Sequence, residues 1–328
     1  MKLGVIGEPC IDYIHRGNGE PKKTLGGILY SVVSLALIAK EDEVYPIFNL
    51  GNDEYDYILN FLSQFKNIRT DYVNKVEHKV RVVSLYYNKA QGAEYICEET
   101  GRTKIYDREE NSTEPTAPVD FSVIEPALYN LDALLINMIS GSDVTLDTLK
   151  QVRLAYPKHI HLDIHNIVMR TNEKGERIQQ PVNDWLEWCC QCSTLQMNES
   201  EINIITPERL KEYDFAEKIL STEGKGPGAL IITRGKSGVT LYVKKVKDML
   251  GEHFVDIDKK DFPAVERDNF KDSTGCGDVL ASSFLFKMAS GHDYETAINF
   301  SNKMAGFKST LQGVEELYQL GNYKIGTT

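Results

Sequence analysis

The strongest chemical signal in the sequence is a glycine-rich segment, Asp272 to Asp278, which reads DSTGCGD. The apolar stripe of a helix follows it directly, so Gly275 and Gly277 allow the chain to turn tightly into the first turn of that helix. Backbone N–H groups would then converge on one point that attracts anions. Asp278 would stand beside this point, where phosphoryl transfer needs a base for the attacking hydroxyl. Taken alone, the segment is equally typical of a glycine turn with an Asp N-cap.

Two common nucleotide-binding patterns do not fit this chain. Residues 235–237 (GKS) supply the end of a P-loop, but the position five residues before Gly235 holds Leu230 instead of glycine. The glycines near the first predicted strand do not form a dinucleotide fingerprint either. A nucleotide, if bound, must therefore be held in another way.

Short apolar runs, each followed by an amphipathic helical segment, predict the elements that position this loop. This alternation is typical of a parallel sheet with helices on both faces. We therefore expect an α/β fold with a doubly wound, mostly parallel sheet. The predicted strands are Leu3–Ile6, Val44–Asn49, Ala133–Asn137, Ile160–Asp163, Thr194–Met197 and Ala229–Thr233.

One region breaks the alternation, because residues 68–105 read as successive strands with no helix between them. We predict a small inserted β lid there, with residues 1–67 and 106–328 forming the α/β domain. Residues 109–118 are polar, contain two prolines and are predicted to be the connection back. Such an insert would project over the C-terminal edge of the main sheet and close on a ligand.

Composition limits the class of protein. The 328 residues include 37 Lys and Arg against 48 Asp and Glu, a net charge of −11, and no basic run interrupts this background. Nucleic acid and anionic membranes are therefore unexpected partners. The longest apolar stretch, 26–39, is shorter than the roughly 20 residues of a membrane span. Because Glu8 and Asp12 interrupt the window of a secretory signal, we expect a cytoplasmic protein.

The six cysteines predict neither a disulfide framework nor a zinc site. Residues 189–192 (CCQC) contain a CxxC, but no second Cys or His pair stands at ligand spacing. The motif closes a predicted helix at 181–190 instead of opening one, so a redox role is disfavoured. We expect buried, reduced thiols.

With these residues in view, the segment 272–278 resembles the DTxGAGD signature of the ribokinase-like (PfkB) family of carbohydrate kinases. Residues 7–12 (GEPCID) resemble the opening of its fructokinase and 2-keto-3-deoxygluconate kinase branch. The pair Gly26-Gly27 is similar to the family's di-glycine. Residues 198–201 (NESE) match its NxxE motif, and 233–238 (TRGKSG) resemble its T-x-G-x-x-G turn. These segments occur in the family's order between residues 7 and 278.

The resemblance implies a ribokinase-like fold, a β lid, ATP and Mg²⁺ as cofactors, and a role for each matched residue. Asp278 would be the general base, and the backbone of Gly275, Cys276 and Gly277 would form the anion hole. Glu201 would act on Mg²⁺ through water, together with Asn198. The implied substrate-binding residues are Asp12, Gly26, Gly27 and Ser31. The implied nucleotide-binding residues are Asn198, Thr233, Gly235, Gly238, Thr274 and Asn302.

Some positions depart from the family pattern or have a simpler interpretation. Ser31 stands where the family usually has Asn, and residues 163–170 only loosely resemble its DxNxR segment. His165 is predicted to be a loop or core histidine. Without the other motifs, NESE would be read as an N-cap with an acid in the first helical turn.

The sequence therefore predicts ATP-dependent transfer of a phosphoryl group to a hydroxyl of a sugar or sugar acid. A nucleoside kinase of the same fold and a catalytically weak sugar or nucleotide sensor are the alternatives. The family resemblance also implies a homodimer formed through the lid.

Overall fold

The computed structural model describes residues 1–16, 19–87, 94–96, 103–105, 109–171, 177–222, 226–249, 252–265, 267 and 269–322. Its strands are β1 Lys2–Ile6, β2 Pro9–Arg16, β3 Lys22–Gly27, β4 Glu43–Gly51, β5 Tyr72–Val76, β6 Arg81–Tyr87, β7 Glu94–Ile96, β8 Thr103–Ile105, β9 Glu109–Ser112, β10 Ala133–Asn137, β11 His159–Asp163, β12 Met169–Thr171, β13 Arg177–Gln179, β14 Thr194–Asn198, β15 Ala229–Thr233, β16 Val239–Met249 and β17 Glu252–Phe262.

The α-helices of these ranges are α1 Leu29–Ile38, α2 Tyr55–Leu62, α3 Phe121–Leu128, α4 Leu146–Ala155, α5 Trp185–Cys189, α6 Glu199–Ile205, α7 Glu212–Leu220, α8 Cys276–Ala289 and α9 Tyr294–Lys308. Two 3₁₀ helices cover Gly235–Ser237 and Glu315–Asn322. None of the helices in the described part of the chain is long and apolar enough to cross a membrane.

The main sheet of the described residues has nine strands in the order β17-β16-β15-β14-β11-β10-β1-β4-β5. Seven neighbouring strands of this sheet pair in parallel, namely β5, β4, β1, β10, β11, β14 and β15. Strand β16 pairs antiparallel with β15, and β17 pairs antiparallel with β16. All six strands predicted from the apolar runs lie in this sheet. The carboxyl ends of its parallel strands meet at one edge, which is where ligands bind in such sheets.

Strand β10 explains why both faces of the sheet carry helices. Its five residues are all buried, and successive side chains alternate between two cores because strand side chains point to opposite faces. Leu134 and Ile136 pack with α3 to α7, whereas Ala133 and Leu135 pack with α1, α2 and α8. The predicted doubly wound α/β fold is therefore confirmed.

A second, four-stranded sheet has the order β3-β2-β6-β9. Its β2 and β3 form an antiparallel hairpin, and β6 joins β2 in parallel and β9 antiparallel. One face carries a small apolar cluster made of Cys10, Ile14, Val83, Leu85 and Tyr87. Strands β7 and β8 pair only with each other among the described residues.

The strands of this small sheet differ from the predicted insert at 68–105. Strand β5 lies in the insert by sequence but pairs with β4 at the edge of the main sheet. Strands β2 and β3 lie outside the insert but supply half of the small sheet, and β9 falls within the predicted connection 109–118. The pattern of a strand does not state which sheet it joins, because strand pairing is a long-range choice.

The cysteines of the described residues agree with the predicted interior thiols. Cys10, Cys189, Cys190 and Cys192 are buried, and Cys276 is half-buried. The side chain of Cys97 lies outside the described residues. Helix α5 is shorter than the predicted helix 181–190, since Pro181, Val182 and Asn183 precede its N-cap, Asp184.

Candidate active site

Helix α8 begins at the glycine-rich loop that sequence analysis singled out. Its N-cap, Gly275, has a φ of 80°, a left-handed conformation that favours glycine. A Cβ at Gly275 would lie 2.3 Å from Cδ1 of Tyr30, whose buried ring packs against the loop from α1. Both the backbone and the packing therefore require glycine here.

The amide groups of this loop are not all available to a ligand. The N–H of Cys276 donates to the carbonyl of Ser273 at 3.1 Å. The amides of Gly275 and Gly277 have no hydrogen-bond partner among the described residues. A Cβ at Gly277 would meet no atom within 4 Å, so open space adjoins that residue. This narrows the predicted three-amide anion hole to two amides, because a turn already uses the third.

The Asp278 carboxyl lies in the first turn of α8 and is buried. The side-chain amide of Asn137, at the carboxyl end of β10, donates to its Oδ1 at 2.8 Å. Burial raises the pKa of Asp278, while the charge of His165 and the Asn137 hydrogen bond oppose that shift. A carboxylate held in one orientation with a raised pKa has the properties of a general base.

A second buried carboxyl, Asp163, follows at the end of β11. Burial and the charge of Asp278 raise the pKa of Asp163 to about 7, although the charge of His165 lowers it. The Gln196 side chain donates to Asp163 Oδ2 at 2.7 Å and to the carbonyl of Gly277 at 3.2 Å. Gln196 therefore joins β11 and β14 to the start of α8.

Residues Asn198 and Glu201 form a capping box at the start of α6. The backbone N–H of Glu201 donates to Asn198 Oδ1 at 2.9 Å, and the backbone N–H of Asn198 donates to Glu201 Oε2 at 2.7 Å. The N-cap interpretation of NESE thus describes the contacts. Burial and the charge of Asp163 raise the pKa of Glu201 well above its usual range. A nearby cation would relieve that repulsion between carboxylates.

Direct metal ligation by a cluster of side chains has no support in the described ranges, where no group of three or more His, Cys, Asp or Glu residues could hold an ion. Asp163 and Glu201 nevertheless offer the oxygen donors that Mg²⁺ prefers, and Mg²⁺ commonly keeps several water ligands. The residues present therefore fit a Mg²⁺ ion that is contacted through water.

The small sheet carries three of the four predicted acceptor-binding residues, Asp12, Gly26 and Gly27. A Cβ at Gly26 would lie 2.2 Å from Oδ2 of Asp12, so the carboxylate rests directly on the β3 backbone. Gly27 has a φ of 61°, and a Cβ there would lie 2.4 Å from the carbonyl of Glu8. The two glycines therefore let the backbone of β3 approach the Asp12 carboxylate and the carbonyl of Glu8 closely.

Ser31 lies in α1, in contact with the first turn of α8. It is fully buried in α1, and its hydroxyl donates to the backbone carbonyl of Asp278 at 3.4 Å. Its side chain is thus enclosed between α1 and α8, and its contact with a substrate hydroxyl stays a prediction.

The predicted nucleotide-binding residues fall into three places. Asn198 and Thr233 are register partners at the carboxyl ends of β14 and β15, and the turn that carries Gly235 and Gly238 follows. Asn302 donates to the carbonyl of Pro263 at 2.8 Å and thereby holds the chain after β17. The hydroxyl of Thr274 lies 3.2 Å from that of Tyr87, on β6 of the small sheet.

Sequence analysis missed Asn137, Gln196, Tyr87 and Lys308, and it gave Asp163 no role. Asn137 and Asp163 end predicted parallel strands, so the rule that ligands bind at the carboxyl ends could have marked them. Tyr87 and Lys308 carry no comparable signal, because they contact the loop from distant parts of the chain. Tyr87 contacts Thr274, and the Lys308 ammonium donates to the carbonyl of Asp272 at 3.4 Å.

An open cleft of about 350 Å³ lies at the same edge of the sheet. The chain after β10 and the chain after β9 form two of its walls, and Arg170 contributes a third. Its lining residues are Ser112, Thr113, Glu114, Pro115, Pro118, Ser140, Gly141, Ser142, Val144, Thr145, Met169 and Arg170.

Comparison with known proteins gives a family match over most of the chain. Residues 32–318 match the family model described as pfkB family carbohydrate kinase. A curated ribokinase of Bacillus subtilis (strain 168) is 25% identical over 313 residues, which cover 92% of this chain and 90% of that protein.

Solved structures with the same fold include enzymes for different acceptors. Adenosine kinase from Schistosoma mansoni, in complex with 2-fluoroadenosine, has a TM-score of 0.72 and 15% identity, with 95% of this chain and 96% of that chain covered. A ribokinase II candidate from Escherichia coli, in complex with ATP and Mg²⁺, has a TM-score of 0.68 and 15% identity, with 98% of both chains covered. At such identities these likenesses establish the fold.

Proposed function

The chain belongs to the pfkB family of carbohydrate kinases, and from this premise we propose that it transfers the γ-phosphoryl group of ATP to a hydroxyl of a sugar or sugar acid. One observation carries the proposal. The buried Asp278 carboxylate, fixed by Asn137, lies one residue after Gly277, whose amide has no hydrogen-bond partner among the described residues and which adjoins open space. A base and an anion-binding backbone are thus adjacent.

In the proposed reaction, Asp278 removes the proton of the acceptor hydroxyl as its oxygen attacks the γ-phosphorus. The bond from that phosphorus to the β–γ bridging oxygen breaks, and ADP leaves. The amides of Gly275 and Gly277 stabilise the charge on the transferred group. Bound Mg²⁺ would neutralise phosphate charge, and Asp163 and Glu201 would contact it through water.

We assign the acceptor to the small-sheet side, where Asp12 can accept hydrogen bonds from two hydroxyls. Thr233, Gly235 and Gly238 are assigned to the nucleotide at the β14–β15 edge. The hydroxyl of Tyr87 lies 3.2 Å from Asp272 Oδ1 and 3.2 Å from Thr274 Oγ1, which supports a small sheet that closes on the loop. The fructokinase and 2-keto-3-deoxygluconate kinase branch and pairing of two copies through this sheet stay predictions.

A nucleoside acceptor is the second candidate, and the cleft of about 350 Å³ favours it. Ser112 of β9, in the small sheet, and the chain after β10 line this cleft, and its size provides room for a group larger than a free sugar.

The test is ADP release with MgATP across ketoses, aldoses, sugar acids and nucleosides. The Asp278→Asn variant should lower kcat by about 10³-fold, because it removes the base. Asp56→Asn, a change at an exposed carboxylate of α2, is the matched control and should retain wild-type kcat. Acceleration by nucleosides alone would select the second candidate. Acceptor-dependent ADP release that survives Asp278→Asn would contradict the base assignment.

A further inference from the structure

Lys308, at the last residue of α9, is a buried charge that the proposed chemistry does not yet use. Its side chain is 0% exposed. Lysine is almost never fully buried without a partner, because an isolated charge loses the solvation of water. The neighbouring groups must therefore compensate the charge of the Lys308 ammonium.

Oxygen atoms from two segments surround the Lys308 ammonium. It donates to the carbonyl of Leu311 at 3.1 Å, just beyond α9, and to the carbonyl of Asp272 at 3.4 Å. Asp272 Oδ2 lies 4.0 Å away, and the ring centroid of Tyr30 lies 5.4 Å away. A cation at the C-terminal end of a helix also interacts favourably with the helix dipole.

The contacts of Lys308 with Asp272 reach the start of the glycine-rich loop 272–278, the proposed anion-binding loop. Asp272 Oδ1 accepts from the amide of Thr274 at 3.0 Å, which shapes the turn before Gly275. Among the described residues, Asp272 Oδ2 has no hydrogen bond, so Lys308 is its nearest compensating charge. The Asp272 amide also donates to the carbonyl of Ser309 at 3.1 Å. The end of α9 therefore holds this turn by both charge and backbone.

We infer that the Lys308 ammonium is a built-in cation of the anion-binding loop, which positions the Gly275 and Gly277 amides toward the transferred phosphoryl group. The inference rests on the proposed function. Lys308 acts through Asp272 and the loop and touches no reacting atom, so it is a positioning residue.

The charge of Lys308 also reaches the proposed base. It is among the groups that lower the pKa of Asp278 against the effect of burial. Removing the charge should therefore raise the pKa of Asp278 and move the acid limb of the pH–rate profile to higher pH. A residue with a purely structural role would lower stability without moving that limb.

The first variant is Lys308→Met, which keeps the length of the stem and removes the charge. We expect kcat to fall by about 10²-fold, as for loss of one preorganised group of an oxyanion hole, with a higher acid limb. Lys271→Met is the matched control, because this lysine adjoins Asp272 but its side chain is 51% exposed. It should retain the wild-type kcat and acid limb.

A second variant guards against simple misfolding. Lys308→Met leaves the buried Asp272 carboxylate without its cation, whereas Asp272→Asn combined with Lys308→Met leaves no buried charge at this pair. This double variant should melt closer to the wild type and still show the loss of kcat. A double variant with wild-type kcat would overturn the inference.

A readout that needs no catalysis separates this inference from the proposed function. The half-buried thiol of Cys276 lies between the two glycines, and its alkylation by iodoacetamide, followed by peptide mass spectrometry, reports the order of the loop. Alkylation should be several-fold faster in Lys308→Met than in Lys271→Met. Equal alkylation rates would overturn the inference. Failure of the wild type to phosphorylate any acceptor would instead overturn the proposed function, while the alkylation result still tests the role of Lys308 in ordering the loop.

Discussion

Replacing Gly277 with alanine separates folding from catalysis at the anion-binding loop. A Cβ at this position would meet no atom within 4 Å, and the residue is the second of α8. Alanine is favoured over glycine within a helix by roughly 0.5–1 kcal/mol. The variant should therefore be as stable as the wild type or slightly more stable.

Activity should change in the opposite direction, because we place the transferred phosphoryl group beside the Gly275 and Gly277 amides, in the open space that adjoins Gly277. A methyl group there would displace the phosphoryl group or the loop. Misplacement by about 1 Å can cost about 10²-fold in rate, so we expect a loss of kcat of this size. Gly277→Ala would thus be stable and nearly inactive.

The assay combines thermal unfolding with steady-state ADP release at saturating MgATP and acceptor. Cys276→Ala is the matched control, because it shortens the side chain next to Gly277, whose thiol lies 4.0 Å from the Asp272 carbonyl, and leaves every backbone amide of the loop in place. It should keep wild-type kcat. Wild-type kcat in Gly277→Ala would refute the placement of the phosphoryl group. A clearly lowered unfolding temperature would refute the reading of open space.

Two further predictions concern the acceptor side and the buried carboxylates. In Gly26→Ala, the new Cβ would lie 2.2 Å from Asp12 Oδ2 and would push the carboxylate aside. A shift of about 1 Å should lower kcat/KM for the acceptor by about 10²-fold, while the KM for MgATP should not change. Steady-state kinetics in both substrates test this, and an unchanged kcat/KM for the acceptor would contradict the role of Asp12. The second prediction concerns Asp163, whose pKa is about 7 in the folded protein against an ordinary value of 3.8. Between these values the native state holds a proton that the unfolded state has released. The free energy of unfolding should therefore fall as the pH rises from about 4 to 7. Urea unfolding at pH 5 and pH 8 should show a smaller fall in Asp163→Asn, and equal falls would contradict the raised pKa.

Local patterns explain how far the sequence predicts the fold. Strand β10 is an apolar run up to its last residue, Asn137, and both cores use it because strand side chains alternate. The sequence also predicts the loop 272–278, because glycines just before an apolar helical stripe indicate a tight turn into a helix. The capping box of Asn198 and Glu201 has the same local character, with partners three residues apart.

The sequence by itself thus determined six of the seven parallel strands of the main sheet, the loop that begins α8 and the acidic residue that follows it. The tertiary structure decided that β5 joins the main sheet while β2 and β3 join the small one. It also decided that Asn137 donates a hydrogen bond to Asp278, 141 positions later in the chain, and that the Lys308 ammonium lies 4.0 Å from Asp272 Oδ2. Periodicity and turn chemistry act between near neighbours in the chain, whereas sheet membership and buried polar contacts depend on which distant surfaces pack together.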